Sequence, residues 1–203
     1  VKACLPERGK CIQVEADDGI YLVGKTLLRT HNSSLVSQYF PAWYLGMNPD
    51  KRIILASYEA TFAASWGRKA REVLSEFGWN MFGVKVRDDV AAATAWELEG
   101  ETGGMITSGV GGAITGRGAN CLIIDDPVKN WDEANSPNIR DKIWDWYRTT
   151  ALTRLETNGV VVLIMTRWHE DDLAGRILRS DRDLWDVLRI PAIAEEKDPL
   201  GSS

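Results

Sequence analysis

From residue 33 onward the apolar positions alternate between two periods. Residues 34–45 have helical apolar spacing that ends near Gly46 and Pro49. Residues 52–57 (RIILAS) form a continuous apolar run, the pattern of a buried strand. Residues 59–77 read as an amphipathic helix closed by Gly78, and 96–98 with 104–107 as a meander pair. A glycine-rich loop over 109–118 leads into the all-apolar strand 121–124. Ser136-Pro137 starts a long helix that runs through Leu155. Residues 160–165 are a further buried strand, 171–179 a helix and 185–190 a last strand. Apolar strands alternating with helices predict an α/β fold, a mostly parallel sheet with helices on both faces.

Residues 1–32 follow a different pattern. Residues 11–15 alternate like a strand, Asp17-Asp18-Gly19 is a turn and 20–24 is a second strand. This predicts a β-hairpin, too small to be stable alone. The chain therefore divides into 1–32 and 33–203.

Composition narrows the class only slightly. The 203 residues are 44% hydrophobic and 26% charged, ordinary for a globular protein. A net charge of -5 does not advertise nucleic-acid binding, although a local basic channel remains compatible with it. No apolar run approaches the roughly 18 residues of a membrane span. The three cysteines, Cys4, Cys11 and Cys121, lack zinc spacing and suit a reducing, intracellular compartment. Cys121 opens an apolar strand and reads as core. Most of the nine tryptophans fall on helical patterns and are expected in the core. The start at Val1 and the end at Ser203 both suggest a piece of a longer polypeptide.

The candidate chemistry begins at Leu122-Ile123-Ile124-Asp125-Asp126-Pro127. An apolar strand ending in acids has the form of a Walker B motif, placed where open α/β sheets bind ligands. Asp125 is the candidate Mg2+ ligand, and Asp126 the residue that orients or deprotonates the attacking water. The plain alternative is a strand ending in a turn. The strand at 160–165 ends in Thr166-Arg167, where a γ-phosphate sensor belongs. His169 with its following acids suggests a metal site only weakly, for no second histidine or cysteine lies nearby, and Asp171 or Asp172 suits a helix cap. Arg117, flanked by glycines, reads equally as a phosphate-reaching arginine and as a surface residue.

Three runs, 40–72 (FPAWYLGMNPDKRIILASYEATFAASWGRKARE), 115–130 (TGRGANCLIIDDPVKN) and 160–178 (VVVLIMTRWHEDDLAGRIL), resemble the large terminase subunit of tailed bacteriophages. The resemblance covers residues 33 to about 200. It implies a P-loop ATPase domain using ATP and Mg2+ to pump viral double-stranded DNA into a procapsid. It also implies partnership with a portal protein and a small terminase subunit, assembly into a homo-oligomeric ring, and action in the host-cell cytoplasm without a membrane. The family's nuclease domain would follow this chain. By the resemblance Thr166 couples hydrolysis to motion and Arg117 is an arginine finger, while Arg167, at the sensor position, is the candidate nucleotide contact.

A P-loop needs G-x-x-x-x-G-K-[ST], whose glycine N–H groups cradle phosphates while Lys and the hydroxyl engage the nucleotide and Mg2+. No such run occurs, and Gly24-Lys25-Thr26 lacks the upstream glycine. In relatives a Gly-Lys-Ser opens the helix leading to Phe-Pro-Ala-Trp-Tyr-Leu. Here Ser33 stands in the Ser position, a second Mg2+ ligand, with Thr30-His31-Asn32 before it. Residues 11–24 (CIQVEADDGIYLVG) and 27–32 (LLRTHN) resemble the last two conserved blocks of an intein, a Hint-type fold. Within that resemblance Cys11 is an internal nucleophile, Thr30 and His31 assist, Asn32 cyclises and Ser33 accepts the acyl group. Asp18 stands where a block histidine often does. The expected partner is then an N-terminal fragment carrying Gly-Lys and the rest of the intein. The competing expectation is a non-splicing, catalytically incomplete domain with a scaffold role in DNA packaging, in which 1–32 are merely a hairpin and Cys11 a buried strand residue.

Overall fold

The computed structural model describes residues 9–14, 20–23, 28–112, 114, 116 and 118–190, with side chains over 32–112, 114, 116 and 118–188. The chain runs β1 (Gly9–Val14), β2 (Ile20–Val23), β3 (Leu28–His31), a π-helical segment Ser34–Tyr39 continuing as α1 (Phe40–Met47), β4 (Arg52–Ser57) and α2 (Ala60–Phe82). There follow β5 (Val86–Ala91), β6 (Ala95–Leu98), β7 (Gly104–Gly109), β8 (Ala119–Asp125), α3 (Trp131–Asn135) and α4 (Pro137–Trp146). The chain then passes through π and 3-10 turns to β9 (Leu155–Ile164), α5 (Leu173–Ser180) and β10 (Trp185–Ile190).

Eight strands form one sheet in the order β10-β1-β9-β8-β4-β7-β6-β5. The first six in that order are parallel, and β6 and β5 add antiparallel at one edge. Alternate side chains of the central strands feed two cores, as the pleat requires. Leu122 and Ile124 join Trp146, Tyr147 and Ile177 under α4 and α5. Cys121 and Ile123 join Leu45, Trp66 and Leu74 under α1 and α2. Helices thus cover both faces of a mostly parallel sheet, as the apolar runs predict.

Cys121 is core, and burial pushes its thiol pKa up to about 12. The tryptophans divide instead of following the expectation. Trp66, Trp96, Trp146 and Trp185 are buried, whereas Trp43, Trp79, Trp131 and Trp168 are exposed. The segment from Asn32 to Asn48 carries no charge, and its exposed positions are Leu35, Tyr39, Trp43 and Met47, one stripe at four-residue spacing.

Several boundaries differ from expectation. The helix expected from Pro137 through Leu155 is α-helical only to Trp146 and continues as π and 3-10 turns to Arg154, where the Thr149 and Thr153 hydroxyls bond back to main-chain carbonyls. Leu155 already opens β9, ahead of the strand expected at 160–165. The helix expected to stop at Gly78 continues to Phe82 and ends at Gly83, whose left-handed backbone (φ 74°) lets its N–H reach back to the last turn. Gly78 is buried within the helix, where a Cβ would come 3.0 Å from the Val84 carbonyl oxygen. The expected hairpin of 11–15 with 20–24 does not form. The hairpin is β2 with β3, Ile20 opposite His31, and β1 instead lies parallel between β9 and β10, Cys11 opposite Leu163 and Val187. Alternation identifies a strand without naming its neighbour, and here the neighbours come from the far end of the chain.

Candidate active site

Three parallel strands end side by side, with Ser57, Asp125 and Ile164 in register on β4, β8 and β9. This is the carboxyl edge of the sheet, where chain reversals leave a crevice. Asp125 closes β8 and is fully buried. Ser33 Oγ donates to its Oδ1 at 3.0 Å, and Ser37 Oγ donates to its Oδ2 at 2.8 Å. The two serines are four residues apart on one helical face, which brings both hydroxyls to one carboxylate. Burial, with a smaller contribution from the neighbouring Asp126 charge, raises the Asp125 pKa to about 7, against the lowering effect of the two hydroxyls. Among the described residues no cation pairs with it. A buried carboxylate beside a hydroxyl, both hard oxygen donors and lacking a positive partner, fits a Mg2+ ion.

Asp126 turns the chain away from the strand with a left-handed backbone, φ 44°. Its N–H donates to the Ile164 carbonyl at 2.9 Å, and its own carbonyl accepts from the Tyr58 N–H at 3.0 Å. Its Oδ1 accepts the Thr166 N–H at 3.1 Å. Asp126 is thereby tied to the ends of both flanking strands. Burial raises its pKa and the Thr166 N–H opposes that rise.

The loop after β9 is braced by ion pairs. Arg167 Nε donates to Asp172 Oδ2 at 2.5 Å, and its Nη2 reaches the carbonyls of His169 and Glu170. Asp172 is buried and caps α5, its Oδ1 accepting the Gly175 N–H at 2.8 Å. Asp171 gathers Arg140, Arg176 and Arg179, and the Arg176 hydrogen bond leads these contacts in holding its carboxyl well below the usual range. His169 Nδ1 accepts the Asp171 N–H at 2.9 Å. Among the described residues no group of three or more His, Cys, Asp or Glu side chains is placed to hold a metal.

At the start of the helix the Asn32 side chain folds toward the next peptide bond. Its Oδ1 accepts the Ser33 N–H at 2.8 Å, and the residue is buried. The β2–β3 hairpin ends at His31, directly before it. Thr30 lies in β3 opposite Tyr21. The side chains of Cys11, Thr30 and His31 fall outside the described residues, as do Asp18 and Arg117 altogether.

The structure thus brings Ser33, Asp125, Asp126 and Thr166 to one sheet edge, while the Arg167 guanidinium faces the α5 cap. It adds Ser37, which the sequence reading passes over. The available signal is its spacing of four from Ser33, as one of few polar residues in an otherwise apolar helix.

Residues 33–200 match a family model described as terminase large subunit, T4-like virus type, N-terminal. A comparison with curated proteins finds no match. Among the described residues no helix is long and apolar enough to cross a membrane.

Proposed function

The chain belongs to the terminase large-subunit family, the ATP-driven motors of viral DNA packaging, and on that footing we propose that residues from Ser33 onward form an ATP-hydrolysing unit whose phosphate cradle is supplied by a separate piece joined ahead of Ser33. The observation that carries this reading is the 3.0 Å hydrogen bond from Ser33 Oγ to Asp125 Oδ1. A hydroxyl at a helix start facing an acid at a strand end is the Mg2+-binding half of a phosphate-loop site. The other half, a Gly-Lys directly before that hydroxyl, is replaced by His31-Asn32.

Within this site Asp125 and Ser33 hold Mg2+, which when bound neutralises charge on the nucleotide phosphates. Asp126 orients the attacking water and takes its proton. Thr166 couples hydrolysis to movement, supported by its N–H on the Asp126 carboxylate. Arg117 serves as the arginine finger. Arg167 supports the nucleotide side of the loop while braced by Asp172. The partners are double-stranded DNA, a portal protein, a small terminase subunit and further copies in a ring.

Residues 1–32 we assign to the C-terminal segment of an intein. Cys11 Sγ attacks the carbonyl at the upstream splice junction and expels the amine there to form a thioester. Ser33 Oγ then displaces the Cys11 thiol to form an ester, which passes to the Ser33 amine as a peptide bond once Asn32 has released that amine. Asn32 Nδ2 attacks its own carbonyl carbon and expels the Ser33 amine, with His31 as proton donor. The Asn32 side chain lies beside the bond to be cut, its Oδ1 accepting the Ser33 N–H, and cyclisation needs the amide turned so that Nδ2 meets the carbonyl carbon. One observation favours a second reading. β1 pairs with both β9 and β10, so residues 9–14 also read as an integral strand of a domain that is never cut at Asn32.

Co-expression with an upstream piece that ends in Gly-Lys followed by the N-terminal part of an intein separates the two. Mass spectrometry is expected to find a product joined at Ser33, with Asn32→Ala blocking its release. The 203-residue chain alone is expected to show no ATP turnover. An uncut chain supports the second reading, and turnover by the isolated chain that Asp125→Asn abolishes overturns the need for a separately supplied phosphate cradle.

A further inference from the structure

Asp125 has two oxygens and two hydroxyl neighbours, and the neighbours are not equivalent. Ser33 is partly exposed, whereas Ser37 is fully buried. Oδ1 faces Ser33 at 3.0 Å, and Oδ2 faces Ser37 at 2.8 Å. The terminal torsion of an aspartate is broad, so burial alone does not decide which oxygen faces outward. A serine hydroxyl has one hydrogen to donate, and Ser37 directs it to Oδ2. That bond fixes the plane of the carboxylate and leaves Oδ1 toward Ser33.

We infer that Ser37 is a positioning residue for the Mg2+ site, holding Asp125 so that Oδ1 and the Ser33 hydroxyl form one ligand pair. The inference rests on the proposed ATPase reading. It follows from helix geometry as much as from the bond itself. Ser33 and Ser37 sit on one face of the same helical segment, so anchoring Ser37 to the end of β8 also fixes Ser33 against it. Outer hydrogen bonds that orient metal ligands typically change metal affinity by about 10–100-fold when removed.

The test is made in the polypeptide carrying Gly-Lys directly before Ser33, reading the Mg2+ concentration that gives half-maximal ATP hydrolysis at saturating ATP. Ser37→Ala is expected to raise that concentration about tenfold. Ser37→Thr, which keeps the hydroxyl and adds a methyl, is expected to restore it to within about twofold of the parent. Impairment in Ser37→Thr as deep as in Ser37→Ala assigns the effect to packing and overturns the inference. A second readout uses the full 203-residue chain and Mn2+ alone, followed by electron paramagnetic resonance, with Asp125→Asn as background. Weaker Mn2+ binding in Ser37→Ala than in the parent is expected. Equal binding beside a loss in Asp125→Asn overturns the role of Ser37 alone. No loss in Asp125→Asn overturns the reading of the site and this inference with it.

Discussion

The backbone N–H of Thr166 donates to Oδ1 of Asp126 at 3.1 Å, across 40 positions of sequence. A displacement of the loop after β9 therefore moves the carboxylate at the end of β8, and the reverse holds equally. Asp126→Asn separates chemistry from structure at this point. Asparagine keeps an oxygen for the Thr166 N–H and tolerates the left-handed backbone, but it cannot take a proton from water. ATP hydrolysis by the completed polypeptide is expected to fall about 10²–10⁴-fold. The thermal midpoint is expected to stay within about 3 °C of the parent, and a coupled-enzyme assay with a circular dichroism melt checks both.

Asp125 makes stability depend on pH with a definite sign. Its carboxyl ionises near 3.8 in an unfolded chain and at about 7 when folded. Between those values the folded state binds more protons, so stability falls as pH rises from about 4 to about 7 and stays reduced above. Asp125→Asn removes this dependence. It is expected to stabilise the chain by roughly 1–3 kcal/mol at pH 8 and not at pH 4. Melts at both pH values without divalent ions check it; a variant no more stable than the parent at pH 8 counts against the buried charge.

The Asp171 cluster has the opposite sign. Three arginines hold its carboxyl below the usual range, so the stabilisation is present above pH 4 and is lost as pH falls further. Asp171→Asn is expected to cost about 1 kcal/mol at pH 7, modest because the cluster is partly exposed. Urea unfolding at pH 7 and pH 3 should show that difference shrinking in acid.

Gly67 on α2 lies where backbone and side chain approach closely. A Cβ there would come 2.4 Å from the Ala93 carbonyl oxygen and 2.7 Å from Thr107 Cγ2. The Gly67 carbonyl also accepts the buried Trp96 Nε1–H at 3.0 Å. Gly67→Ala is expected to destabilise by about 1–3 kcal/mol through overpacking, measurable by denaturant titration. Gly100→Ala makes a useful contrast, since nothing lies within 4 Å of its Cβ and only its left-handed backbone (φ 73°) resists the change.

The strands buried on both faces were legible because their apolar runs need no knowledge of the partner. β4 and β8 lie where the pattern predicts, and so does the antiparallel β6–β7 pair, while β9 keeps the expected apolar run but starts earlier, at Leu155. β5 was not legible. It is the edge strand, it reads VRDDVA, and its charged residues suit an edge exposed to water. Asp125 and Asp126 stood out because acids at the end of an apolar strand are conspicuous. Ser37 did not, because its meaning lies in a carboxylate 88 positions away. The seat of β1 was illegible for the same reason, since both of its neighbours come from beyond residue 154.

The left-handed backbone at Asp126 also filters which amino acids the position accepts. Only glycine and short polar side chains such as asparagine and aspartate visit this conformation readily; others are disfavoured by about 1–2 kcal/mol. Glutamate, an acid with equal claim to the proton-transfer task, must first overcome that strain and then carry its carboxylate one bond farther from the Thr166 N–H. Exchange of Asp126 for glutamate is therefore felt first in folding stability, as a backbone cost of about 1–2 kcal/mol, and only then in the chemistry.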